Sequence, residues 1–168
     1  MPKLTSEYFN TIDFQLQGKN HFDVQFTHPG WDKDLTLLVK SVSLPTENTE
    51  VNTLDHFNQQ IKLAGKTTFS EGNIVIHDAI TYDTEKVFRG WRKQVYDAKT
   101  GTVGYAANYK CTGTLTEYSP NGEVERVWTL EGCWPSTVDY GDLDYESGGY
   151  KDISATIVFD WAYRTDED

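Results

Sequence analysis

The chain has 168 residues and a formal charge of −11, with 26 acidic against 15 basic side chains, a balance that argues against gripping nucleic acid through its phosphates. No run of apolar residues approaches the roughly 18 needed to cross a membrane. One domain burying roughly 70% of its unfolded surface is expected at this length, and an aromatic content of 14% favours pleated surfaces and interfaces over helical bundles.

The start, Met1-Pro2-Lys3-Leu4, has no apolar core after its lysine and predicts no secretion signal. Synthesis in a reducing cytoplasm is the expectation. Leu4, Tyr8, Phe9 and Ile12 have helical spacing, so residues 4–12 predict one or two helical turns. Residues 21–27 alternate cleanly and predict a strand stopped by Pro29-Gly30. Residues 35–44 carry apolar side chains on both faces and predict a second, fully buried strand ending at Pro45.

Residues 46–60 differ from both. Thr, Asn, Glu, Asp and Gln dominate, yet Val51, Leu54 and Phe57 recur among them. So long a polar connection in a compact domain is usually functional. It predicts a protruding arm, completed only against a neighbour, with an ordinary surface loop as the alternative. Within it Glu47, Val51, Leu54, Asp55, Phe57 and Gln59 are the candidate contact residues, Val51, Leu54 and Phe57 being the apolar anchors.

Residues 73–78 predict another strand. Asp83 or Thr84 can then cap a helix running to about residue 97, with Val87, Phe88, Trp91 and Val95 on one face. Five cations (Lys86, Arg89, Arg92, Lys93 and Lys99) meet only Glu85 and Asp97 between residues 85 and 99. An acidic body with one basic helix face is the result, and Lys86, Arg89 and Lys93 are candidates for meeting an acidic partner. A solvated helix face is the competing explanation.

Residues 108–131 predict a long hairpin turning at Ser119-Pro120-Asn121-Gly122. If Tyr118 pairs with Glu123, Cys111 lies opposite Leu130 and not Cys133. Neither a disulfide nor a metal pair then follows, and two buried thiols are expected. From Ile153 to Tyr163 the chain alternates without interruption, predicting one strand of roughly 36 Å. Ile153, Ala155, Ile157, Phe159, Trp161 and Tyr163 share one face of it. Residues 164–168 predict a mobile acidic tail. About seven strands and one helix make the class mainly β, an antiparallel sandwich or barrel in a single domain over residues 1–168.

Catalytic chemistry finds little support. The four histidines (His21, His28, His56 and His77) have no ligand-like spacing. No phosphate-cradling glycine loop, nucleophile elbow or activated cysteine is present. No enzyme, cofactor or metal site is expected. Asp139, Asp142, Asp144 and Glu146 cluster around Tyr140 and Tyr145. Their spacing departs from a calcium loop; if 142–146 is extended, three of them form a negative stripe suited to a wet channel or outer surface. Trp31, Tyr140 and Tyr145 could alternatively stack on sugars in a monomeric binding module.

Several features recur in a shared order: Leu44-Pro45, the polar arm, Gln60-Ile61-Lys62-Leu63-Ala64-Gly65, Thr68-Phe69, Trp91 in the helix, Gly132-Cys133-Trp134-Pro135, and Phe159-Asp160-Trp161. In that order and spacing the chain, from about Phe22 to Tyr163, resembles the tail tube proteins of contractile-tailed, T-even-type bacteriophages. The charged helix, Cys133 within the Gly-x-Trp-Pro run, and the acidic end depart from the pattern. The resemblance implies a subunit closing into hexameric rings around a continuous inner β-barrel, the rings stacking through the arm. It implies a tube inside a contractile sheath, assembled in the host cytoplasm and carried in the virion. Its implied partners are copies of itself, the sheath protein, a baseplate or tube initiator and a tail terminator, while the tape measure protein and DNA pass through the lumen. A tube of a non-phage contractile injection or type VI secretion system is the nearest alternative. Six copies at −11 would carry roughly −66 per ring, a field that repels DNA and lets it slide.

Overall fold

The computed structural model describes residues 16–146 and 148–165. The expected N-terminal turns at 4–12 and the end of the acidic tail at 166–168 lie outside these. Among the described residues there are eleven strands and three helices. Seven strands make one sheet in the order β1 (Phe22–Phe26), β8 (Cys111–Tyr118), β9 (Val124–Asp139), β10 (Asp152–Val158), β5 (Gly72–His77), β2 (Val39–Val42), with β11 (Trp161–Arg164) pairing the first half of β9.

The 16-residue β9 organises this sheet. Its first half pairs with β8 and β11, its second half with β10. Gly132 sits between the halves at φ 71, a left-handed conformation that glycine adopts without steric cost. The sheet folds over there. Val24, Leu115 and Leu130 from one half and Ile74 and Ile157 from the other line a single internal space, so the two halves face each other across one core.

Helix α2 (Thr84–Val95) closes that core with Phe88, Trp91 and Val95, as its spacing predicts. Trp91 is fully buried; its Nε1 donates to Tyr109 O at 2.7 Å, and its ring stacks on His28 at 4.7 Å. The capping differs from expectation. Asp83 occupies the cap position at φ 51 without a side-chain bond, and Thr84 Oγ1 instead accepts the Ala79 N–H at 3.3 Å. The short helix α3 (Ala106–Tyr109) and the two-residue strands β6 (Tyr96–Asp97) and β7 (Thr102–Val103) link α2 to β8.

Five other expectations are corrected. Residues 35–44 are not one strand: α1 (Lys33–Leu37) precedes β2, and Leu35 enters the core from the helix. A five-residue helix is too short to show its own period.

The final strand is broken. Phe159 is buried and Ala162 is buried, whereas Trp161 and Tyr163 are exposed. The alternation therefore changes phase at Asp160, whose N–H donates to Glu131 O at 2.9 Å beside the Gly132 bulge. Arg164 and Thr165 are not tail: Arg164 ends β11, and the Thr165 N–H donates to Val127 O at 2.9 Å.

The hairpin register also differs. The Ser119 N–H donates to Glu123 O at 2.8 Å in the expected turn, but the ladder slips at Glu117/Tyr118 and again at Cys111/Gly113. Cys111 and Cys133 become direct cross-strand partners, both as free thiols. Trp31 is no sugar platform, because it is buried with Nε1 donating to Thr36 Oγ1 at 3.1 Å.

Candidate assembly interface

The largest departure from globular packing is a ribbon formed by β3 (Thr46–His56) and β4 (Gln59–Ser70). Every residue of β3 is exposed, and on β4 only Gly65 and Phe69 are partly covered. The expected arm over 46–60 is therefore half of a hairpin that continues to Ser70. It forms by its own ladder, from Thr46↔Ser70 at the base to His56↔Gln59 at the tip. Thr-rich pairing suits the base: Thr49 and Thr67 hydroxyls meet at 3.0 Å. Phe69 ties it to the body through the Phe159 ring, 6.0 Å away. One irregularity, between Thr49 and Val51, lies opposite Gly65, where a Cβ would approach Glu50 O to 3.0 Å.

Register sorts the expected anchors. Leu54 lies directly opposite Ile61, and Leu63, paired with Asn52, stands on that same face. Val51 pairs with Ala64 on the other face. The ribbon thus does not bring Val51, Leu54 and Phe57 together. It makes a strip of Leu54, Ile61 and Leu63, each about half exposed. Ile61 and Leu63 belong to the return strand, and only its register places them beside Leu54. Glu47 lies near the base opposite Phe69, while Asp55↔Gln60 and His56↔Gln59 make the polar end. At the tip Phe57 is 95% exposed at φ 53. A bulky side chain in the left-handed region is strained, and here it is presented to solvent, with its ring edge-on to His56 at 4.7 Å.

The basic helix face is less free than its composition suggests. Lys86 reaches Asp83 at 3.8 Å, Arg89 reaches Glu85 at 3.7 Å and Lys93 reaches Asp97 at 3.9 Å. Arg92 Nη1 donates to Pro135 O at 3.1 Å and serves the body of the fold. Glu85 also holds Lys151, at 3.1 Å, together with Asp78. Exposed pairs of this kind contribute little to stability, so Lys86, Arg89 and Lys93 remain on the outer side of α2 with their charge locally balanced.

The acidic cluster forms no stripe, since residues 142–146 are loop. Asp139 Oδ1 accepts the Gly141 N–H at 3.0 Å and Asp144 Oδ1 accepts the Glu146 N–H at 2.9 Å, each turning the chain locally. Asp142 and Glu146 are exposed. Among the described residues no group of three or more His, Cys, Asp or Glu is arranged to hold a metal ion.

Sheet edges complete the surface. β1 and β11 are the outer strands of one half, and β2 ends the other. Trp161, 57% exposed, and Tyr163 stand on β11; uninterrupted alternation would place them on one face with Ile153 and Phe159. Between the β1 and β2 edges lies a cleft lined by Phe22, Val42, Leu44 and Leu115 with the Glu117–Arg126 pair at 3.4 Å.

The exposed apolar ribbon and the open sheet edges are surfaces that the lone subunit leaves in water. The chain belongs to the T4-like virus tail tube protein gp19 family, whose model matches residues 18–160, and is a structural tail tube protein of the contractile-tail class.

Solved structures share the fold at low identity. A chain of the anti-feeding prophage tube-terminating cap superposes with a TM-score of 0.71 at 13% identity, covering 96% of this chain and 99% of that one. A chain of the extended sheath–tube complex of an extracellular contractile injection system (PVC) gives 0.65 at 14%, covering 97% and 99%. Hcp1 from Flavobacterium johnsoniae gives 0.53 at 10%, covering 86% and 94%. No curated protein sequence matches the chain.

Proposed function

We propose that the protein polymerises as stacked hexameric rings into the inner tube of a contractile tail, the conduit through which a genome passes into the host. The observation that carries this is the β3–β4 ribbon, which buries almost nothing on its own subunit yet presents Leu54, Ile61, Leu63 and a strained Phe57. Apolar anchors that are costly to leave in water mark the centres of interfaces. The ribbon makes the ring-to-ring contacts, with Glu47, Asp55 and Gln59 at its polar margins.

Ring closure uses the open edges. A neighbour's strand against β1 or β11 continues the sheet and removes two exposed ladders at once. The net charge of −11, repeated around a ring, disfavours DNA adhesion to the wall, and Asp139, Asp142, Asp144 and Glu146 add to that field. The outer side of α2, with Lys86, Arg89 and Lys93, meets the sheath protein. A baseplate or tube initiator and a tail terminator bound the tube, which resides in the virion after assembly in the host cytoplasm. The tape measure protein and DNA occupy the lumen. The same fold in structures described as a baseplate, a tube-terminating cap and a sheath–tube complex supports this set of neighbours.

Those structures also favour a second reading, a tube of a non-phage injection system, which the neighbouring genes would distinguish. For the assembly itself, negative-stain microscopy of the purified protein at rising concentration is the test. Six-fold rings or tubes with an open lumen are expected, and a strict monomer throughout would count against the proposal.

A further inference from the structure

The β8–β9 ladder sets the chain's two cysteines face to face. Cys111 and Cys133 are Cα partners, and side chains of such partners share a face with Cβ atoms about 4.5–5.5 Å apart. A disulfide spans about 3.5–4.5 Å between Cβ atoms, so a small closure of the ladder suffices. The place for that closure exists, since the register already shifts between Cys111 and Gly113 opposite the Gly132 bulge. Gly113 has no side chain to hold the sulfur off: a Cβ there would lie 3.1 Å from Cys133 Sγ.

The two thiols have unequal access. Cys133 is fully buried, its Sγ donating to Leu130 O at 3.4 Å. Cys111 is half-buried beside Thr27 and His28. Burial pushes both thiols up to about 12, helped for Cys133 by Cys111 itself and by the Glu131 and Asp160 carboxylates. Asp160 is in turn paired with Lys110 at 2.7 Å.

We infer that Cys111 and Cys133 are a modification site, closing to an intrachain disulfide when the protein meets a small-molecule disulfide. The Cys111 thiolate attacks one sulfur of that oxidant and expels a small thiolate, leaving a mixed disulfide. The Cys133 thiolate then attacks Cys111 Sγ and expels the second. Two protein thiols are oxidised and one small disulfide is reduced to two thiols, which take the two protons the cysteines release. Scarce thiolate at neutral pH makes the reaction slow: brief exposure leaves the pair reduced and long exposure in oxidising surroundings closes it. The bridge would pin the seam at which β9 passes between the two halves of the sheet. This inference does not depend on the tube reading.

Incubation of the purified full-length protein with oxidised glutathione in mildly alkaline buffer tests it by intact mass, peptide mapping and thermal melting. The expected product has lost the mass of two hydrogens, yields a peptide linking Cys111 to Cys133, and melts on the order of 5–10 °C higher until reduced. Cys111→Ser should show neither the bridge nor the shift. Cys133→Ala should instead accumulate one glutathione on Cys111, a readout that survives some loss of stability. The inference is overturned by persistent glutathione adducts on the wild type, by intermolecular dimers, or by a folded protein that stays reduced while its urea-unfolded form oxidises.

Discussion

The sandwich and the ribbon use the same strand chemistry and dispose of apolar surface in opposite ways. In the sandwich, Ile153, Ala155 and Ile157 alternate into a core that leaves each at or below 4% exposure. In the ribbon, Leu54, Ile61 and Leu63 sit in an equally regular ladder with about half their surface in water. A two-stranded ribbon has no second layer to bury its face. The body is thus shaped by folding and the ribbon, on the proposed function, by the neighbour it meets, and substitutions should separate the two.

The largest effect belongs to the core. Trp91→Ala removes the ring that seals α2 onto the sheet and the bond to Tyr109 O, and should cost about 3–5 kcal/mol in urea unfolding. Leu54→Asp, by contrast, should change subunit stability by less than about 0.5 kcal/mol. A large loss from Leu54→Asp would erase the distinction. Next comes Gly132→Ala, where a Cβ at φ 71 runs into the Asp160 carboxylate. About 2 kcal/mol should be lost, and the Cys111–Cys133 pairing should loosen with it.

A smaller change of opposite sign is expected at the tip. Phe57→Asn accommodates φ 53 more readily and should leave the isolated subunit unchanged or stabilised by up to about 1 kcal/mol, while weakening assembly. Melting curves beside sedimentation profiles would show both.

The smallest effect lies at the top of β10. Lys40 and His77 hold the Asp152 carboxyl below the ordinary range, at 2.7 and 2.6 Å. A lowered folded value means the contribution is present above the unfolded value of about 3.9 and is lost as pH falls through the folded one. The wild type should therefore out-melt Asp152→Asn near neutral pH, with the gap closing in acid. A gap that widens in acid would reverse the sign.

Period-bearing elements were legible in the sequence. The alternation of β1 and β5, the turn at Ser119–Gly122 and the apolar face of α2 are all local patterns, and the structure keeps them. What local pattern could not show was pairing. The phase change at Asp160 and the meeting of the cysteines both depend on Gly132, whose left-handed turn matters only once β9 has partners on both halves. The arm was recognisable by its mixture of polar and apolar residues, but its extent was not. Nothing in residues 46–60 says that residues 59–70 return beside them, and without that register Val51 passes for a neighbour of Leu54 while Ile61 goes unnoticed.

The double variant Leu54→Asp/Phe57→Asp, viewed by negative-stain microscopy beside the wild type with matched circular dichroism and melting curves, tests the role of the ribbon most directly. Folded subunits or single rings that never stack are predicted, against tubes from the wild type. Tubes of normal length from the folded double variant would contradict it.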